Sequence, residues 1–156
     1  LKIKILQVNK TASGWISEAM SEYTKRLSNY IPLEIKDIDV NSKKINSKEI
    51  QLELESSKLL AQIRPSDYVV LLDENGKTFS SEAFAVWINK KFSGISADLI
   101  FIIGGAYGFH ESIKKRANEE IALSNMTFTH QMVRVIFLEQ LYRALTILKN
   151  EPYHHS

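Results

Sequence analysis

Two apolar runs, Tyr68–Leu72 (YVVLL) and Asp98–Ile103 (DLIFII), constrain this chain more than anything else in it. A strand carrying apolar side chains at both odd and even positions must be covered on both faces, the situation of a parallel sheet between layers of helices. Helix-spaced patterns occur where such a sheet needs its crossovers. Trp15, Ile16, Ala19, Met20, Tyr23 and Leu27 follow an opening strand, Lys2–Val8. Leu33–Val40 reads as a second strand whose alternation changes phase at Asp37–Ile38, as at a bulge or an early end. A polar loop, 41–47, leads to a helix that Asn46 and Glu49 cap as a box. Ile50, Leu54, Leu60, Ala61 and Ile63 form its apolar face, and Pro65 stops it.

The later chain repeats the scheme. Asp73–Gly76 is a turn after the first apolar run, and Ser80 or Ser81 opens a helix through Phe92. Gly104, Gly105 and Gly108 break the second run. A helix is expected over 111–121, a short strand over Met126–Phe128, and a last helix from Gln131 to Leu148. The order predicts one α/β domain over 1–156, a mostly parallel sheet flanked by helices. Ligands of such sheets bind where the strands end, which places attention on the glycines and on the segment after Ile121.

Composition narrows the chemistry. With 156 residues and 44% hydrophobic content the chain can bury a substantial core. It has no cysteine, which excludes disulfides, thiolate metal sites and thiol catalysis. No apolar run approaches the roughly 20 residues of a membrane span, so a soluble cytoplasmic protein is expected. The net charge of +2 is too small to identify a dedicated nucleic-acid binder and does not exclude an RNA substrate.

The candidate site residues fall in three groups. Gly104-Gly105 and Gly108 let the backbone approach a ligand or simply make a tight turn; their spacing is neither that of a dinucleotide fold nor that of a phosphate loop. Leu123-Ser124-Asn125-Met126-Thr127-Phe128 mixes apolar side chains with small hydrogen-bonding ones, suited to wrapping an adenine or to capping a helix. The last group is polar. His130 stands at a helix entrance, where it can accept a proton. Arg134 lies between Val133 and Val135 and needs a carboxylate or an anion such as phosphate. Arg143 lies one turn beyond Glu139, an ion-pair spacing. Tyr153 and His154 can stack on or bond a base. His154-His155 without spaced partners does not make a metal site.

Several blocks in fixed order carry a resemblance along nearly the whole chain. They are KIKILQV, EYTKRL, Leu72-Asp73 before Gly76-Lys77, IGGAYGF, LSNMTFTHQMVRV, EQLYRA and Pro152-Tyr153-His154. In these the chain resembles the SPOUT-class methyltransferases, in particular the ribosomal RNA large-subunit methyltransferase H family, which methylates N3 of a pseudouridine in 23S rRNA. The resemblance implies a homodimer with a C-terminal trefoil knot, acting on 23S rRNA in the ribosome without metal or membrane. It implies S-adenosylmethionine bound by Leu72, Gly104, Gly105 and Leu123 through Phe128. His130, Arg134, Arg143, Tyr153 and His154 would handle substrate, with the tail offered to the partner's site. Two positions depart from the family pattern: Asn9 replaces a usual glycine, and Thr129 a common proline. Methyl transfer is an in-line displacement that needs alignment and removal of one proton, so the missing thiol is no obstacle. A non-enzymatic RNA- or ribosome-binding module of the same fold is the alternative.

Overall fold

The computed structural model describes residues 1–41, 43 and 46–155, so residues 42, 44 and 45 of the expected polar loop lie outside the described residues. Along the described chain run β1 (Ile3–Val8), α1 (Trp15–Leu27), β2 (Leu33–Ile38), α2 (Lys48–Leu60) and β3 (Tyr68–Thr78). They are followed by α3 (Ser81–Gly94), β4 (Leu99–Ile103), α4 (Glu111–Arg116), β5 (Glu119–Ala122) and α5 (His130–Leu148). The strands form one sheet in the order β2-β1-β4-β3-β5, and every neighbouring pair is parallel.

The apolar runs occupy the positions their composition demands. β4 is the central strand, and all five of its residues are buried. Leu99, Phe101 and Ile103 face a core shared with α1, α3 and α5, while Ile100 and Ile102 face a smaller one under α2 and α4. Phe101 and Phe137 pack with ring centroids 4.6 Å apart, a pairing worth about 0.5–1.5 kcal/mol beyond the area it buries. The crossover helices α1 and α3 and the terminal α5 cover one face, and the crossovers α2 and α4 the other.

The structure departs from the sequence pattern at several places. β2 ends at Ile38 with an unbroken register to β1, so of the two readings of the phase change the early end holds and the bulge does not. The cap of α2 is Ser47, whose hydroxyl accepts from the Ile50 N–H, and not Asn46. The helix ends at Leu60, before Pro65 can stop it. Its buried face is also different: Glu55, Ser56 and Leu59 turn inward, whereas Ile50 and Leu54 are exposed.

The largest difference is β5, at 119–122 instead of Met126–Phe128, with α4 ending at Arg116. Two charged residues in four look helical in isolation, but tertiary pairing overrides that tendency. Asn118 begins the ladder by donating its N–H to the Val69 carbonyl and accepting the Val69 N–H on its side chain, both at 2.8 Å. Glu119 then receives Tyr68 Oη at 2.6 Å, Trp87 Nε1 at 3.2 Å and Lys91 Nζ at 2.7 Å. Burial pulls this carboxyl up, yet the bonds from Lys91, Tyr68 and Trp87 outweigh it and hold it below its ordinary value.

β3 meets β5 twice. Leu72 and Lys77 both pair with Ile121, so residues 73–76 leave the ladder and return. The return requires glycine at 76, where a Cβ would lie 2.6 Å from the Glu120 carbonyl carbon and from the Ile121 nitrogen. Gly76→Ala is expected to cost about 1–3 kcal/mol through overpacking against backbone, read as a lower urea midpoint. An unchanged midpoint would show that the excursion can shift aside.

Candidate functional site

Parallel register brings the glycines and the 123–128 segment to one place. Leu72 lies opposite Ile103 in β4 and Ile121 in β5, so the connections that begin at Asp73, Gly104 and Leu123 leave from the same edge. The 123–128 segment has neither helix nor ladder. Ser124 Oγ accepts from the Met126 N–H at 3.0 Å, and the Thr127 hydroxyl donates to the Glu74 carboxylate. These bonds join the β3 excursion to the β5–α5 connection. Met126, 74% exposed, projects from the rim they form.

The third wall is the glycine loop after β4. A Cβ at Gly104 would meet the Gly108 carbonyl oxygen at 3.0 Å and the Phe109 ring at 3.1 Å, and one at Gly105 would meet Glu55 Oε1 at 2.6 Å. The loop closes on itself through the Gly108 N–H to the Gly105 carbonyl, 3.3 Å, with Gly108 at φ 80°. These walls are made of the residues that the resemblance assigns to S-adenosylmethionine, and their chemistry suits it. Leu72 and Leu123 offer apolar surface for an adenine face, the 123–128 backbone offers hydrogen-bonding groups for its edge, and Gly104 permits close approach. Among the described residues no group of three or more His, Cys, Asp or Glu could hold a metal ion. No described helix is long and apolar enough to cross a membrane.

His130 and Arg134 sit at the site end of α5. Thr129 takes the place of the usual proline and caps the helix, its hydroxyl accepting from the Met132 N–H at 3.3 Å. Burial first, and the charge of Arg134 second, depress the His130 pKa, so its imidazole is neutral at neutral pH. Arg134 is 0% exposed. Its partners are neither the carboxylate nor the anion that its sequence context suggests. Nη1 donates to the Asn9 carbonyl and to Thr11 Oγ1, each at 3.0 Å, and Nη2 donates to the Val8 carbonyl. Two carbonyls at the end of β1 and the Thr11 hydroxyl thus occupy both terminal nitrogens of a fork that burial alone would make costly, while Nε has no partner among the described residues. Asn9 itself has φ 64°, which explains the family's preference for glycine there, and its side chain accepts the Val40 N–H at 2.7 Å.

Arg143, Tyr153 and His154 form a separate group. Arg143 donates to Glu139 Oε1 from Nη2 at 2.6 Å and from Nε at 3.1 Å, and its Nη1 lies 3.1 Å from His154 Nδ1. The hydrogen bond to Glu139 raises the Arg143 pKa further. Tyr153 donates to Glu139 Oε1 at 3.1 Å and stands 3.3 Å from Tyr23 Oη; burial first, and the Tyr23 bond next, push its hydroxyl upward. His154 Nε2 reaches Glu82 Oε1 at 2.8 Å. The tail is therefore docked on the far half of α5 and on α3. At a rise of about 1.5 Å per residue, His130 and Arg143 are about 20 Å apart along the helix. One chain does not bring all five polar residues together.

Sequence reasoning missed Glu55. It is 3% exposed, and neither carboxylate oxygen has a hydrogen-bond partner among the described residues. The available signal was Leu52 and Leu59, seven residues apart, with Glu55 and Ser56 between them on the same helix face. Burial pushes the Glu55 carboxyl up to about 7 from an ordinary 4.5. Below about 4.5 the acid is neutral whether the chain is folded or not. From there to about 7 only the unfolded chain ionises, so the fold loses stability as pH rises; above 7 the loss is complete. Relative to the parent, Glu55→Gln should gain on the order of 2–3 kcal/mol of stability across that window, measured by urea unfolding at stepped pH. A pH-independent difference between the two proteins would contradict this assignment.

Comparison with known proteins agrees with the geometry. The profile of the family described as "Predicted SPOUT methyltransferase" matches residues 1–154. The Ribosomal RNA large subunit methyltransferase H of Parabacteroides distasonis is 48% identical over the whole of both chains. The proteins of the same name from Flavobacterium psychrophilum and Flavobacterium johnsoniae are 47% and 46% identical, again over the whole of both chains. A crystal structure described as that of a hypothetical protein superposes with a TM-score of 0.54 at 12% identity, covering 95% of this chain and 88% of the other, and so shares the fold.

Proposed function

Because this chain belongs to the SPOUT methyltransferase family, we propose that it uses S-adenosylmethionine to methylate large-subunit ribosomal RNA, at N3 of a pseudouridine in 23S rRNA. The observation that carries this reading is the convergence of Leu72, Gly104 and Leu123–Phe128 at one sheet edge, beside a neutral His130. Full-length identity to proteins named as methyltransferases of large-subunit rRNA supports the substrate class. The enzyme acts in the cytoplasm, where ribosomes are.

When bound, the donor supplies a methyl group on a positively charged sulfur. The chain aligns the two reactants and removes the N3 proton. Leu72 and Leu123 hold the donor's apolar surface, the backbone of Ser124 to Phe128 reads its adenine edge, and Gly104 with Gly105 lets the loop lie close. His130 accepts the proton; its depressed pKa leaves a free lone pair at neutral pH. Arg134 anchors α5 to the first loop and thereby fixes where His130 stands, while its charge adds to burial in lowering the imidazole's pKa.

Arg143, Tyr153 and His154 serve the substrate from a second protomer. Their separation from His130 by about two-thirds of α5 supports a homodimer in which each site is completed by its partner's tail. The trefoil knot belongs to the same proposal. The chain passes from α4 on one face, through β5 at the sheet's rim, to α5 on the other face, and the β3 excursion is bonded to that passage at Thr127 and Glu74. Such a path would break the general rule against threaded connections.

Two measurements test the reading. Calorimetric titration should show adenosylmethionine binding, and mass spectrometry of rRNA from a deletion strain should show one methyl group missing from a pseudouridine of 23S rRNA. Ribosome binding without donor binding would instead identify a non-enzymatic module, and an unchanged methylation pattern would sink the enzyme reading. His130→Gln is expected to lower kcat by about 10²-fold or more while leaving donor affinity near parental. The parental rate should rise with pH through a value below the ordinary histidine range. A variant with parental kcat would remove His130 from the chemistry.

A further inference from the structure

Glu55 stands behind the glycine loop, on the opposite side from α5. α2 turns it toward the sheet, and the nearest approach is at Gly105, where even a methyl group would collide with Oε1. Val8, Leu52, Leu59, Phe109 and Ile113 supply apolar walls around it. The nearby polar side chains are occupied with one another. Ser56 and Ser112 share a hydrogen bond between their hydroxyls, and His110 Nδ1 is 2.9 Å from Ser112 Oγ. The remaining source of donors is the backbone of the glycine loop.

The tip of that loop is exposed at Ala106, Tyr107 and Gly108, and the loop closes through a bridge between Gly105 and Gly108 in which the Gly108 N–H donates to the Gly105 carbonyl at 3.3 Å. On its other side lie the groups assigned to the methyl donor. An acid buried without partners, touching a loop whose N–H groups can turn toward it, is a half-made interaction that a second state of the loop completes.

We propose that Glu55 is a positioning residue for the donor site: when adenosylmethionine is bound, N–H groups of the Gly104–Gly108 loop donate to the Glu55 carboxylate, which holds the loop in its ligand-bearing form. The proposal rests on the donor assignment above and adds a residue on the far face of the sheet from the reacting groups. In the unliganded loop, burial keeps the acid protonated up to about pH 7. Donation by the loop favours the carboxylate, so Glu55 releases its proton to solvent as the donor binds. Burial is the sole cause of its elevated pKa. Among the described residues, the other titratable side chain lining the same crevice is His110, and on the loop's outer side Lys48 Nζ lies 5.5 Å from the Tyr107 ring centre.

The test is calorimetric titration of the full chain with adenosylmethionine from about pH 6 to about pH 8, in buffers of different ionisation enthalpy. The parental protein should release a proton on binding, and its Kd should weaken by up to about tenfold per pH unit below 7. Glu55→Gln should bind with a flat pH profile and without that proton. His110→Asn, which keeps a helix-capping side chain, should retain the parental slope. A second measurement needs no donor: in the free protein, NMR titration should move the Gly105–Gly108 amide signals together with the Glu55 carboxyl near pH 7, and Glu55→Gln should abolish the movement. A Glu55→Gln protein with the parental pH slope, or loop amides indifferent to Glu55, would overturn the proposal. If the parental protein binds no adenosylmethionine at all, the donor assignment fails and takes this inference with it. Tight binding that is pH-independent in both proteins would remove this inference alone.

Discussion

The structure depends on the two-sided burial of β4. Its five residues leave no face for solvent, so helices must cover the sheet on both sides and every neighbouring strand must reach it by a crossover. Crossovers make all strands parallel, and parallel strands end together. A ligand site at the carboxyl edge is thus the geometric consequence of an apolar pattern in the centre, rather than a separate feature added to the fold. The register that sets Leu72 against both Ile103 and Ile121 converts that general tendency into particular neighbours.

Much of this was legible from residue pattern. The apolar runs identified the central strands, helical spacing identified α1, α3 and α5, and the glycines marked the end of β4. β5 was not legible, because its existence depends on partners contributed by other elements: Val69 for Asn118, and Tyr68, Trp87 and Lys91 for Glu119. Without them Glu119-Glu120 belongs on a helix. The buried face of α2 was hidden for a related reason. Periodicity assigns apolar residues to the interior, and here a glutamate and a serine occupy it while Ile50 and Leu54 remain outside.

Arg134 and Glu55 illustrate opposite solutions to burying a charge-bearing group. The arginine meets three oxygen acceptors and keeps its charge. The glutamate meets no donor among the described residues and gives up its charge below about pH 7. The first is a structural joint made through both terminal nitrogens; the second holds unspent binding capacity, and stability is lower for it. A protein selected for stability alone would replace such an acid by an apolar or amide side chain, which is the pattern expected where function and stability pull against each other.

The Arg134 joint also sets an order of assembly. Its donors lie 125 and 126 residues along the chain from the Asn9 and Val8 carbonyls they satisfy. During synthesis the first strand therefore emerges with its end uncapped and waits for almost the whole polypeptide to follow. A fragment that stops short of α5 carries the rim but neither His130 nor the Arg134 clasp, which arrive together when the last helix docks. Until then the end of β1 is held by no contact from the helix that carries the histidine.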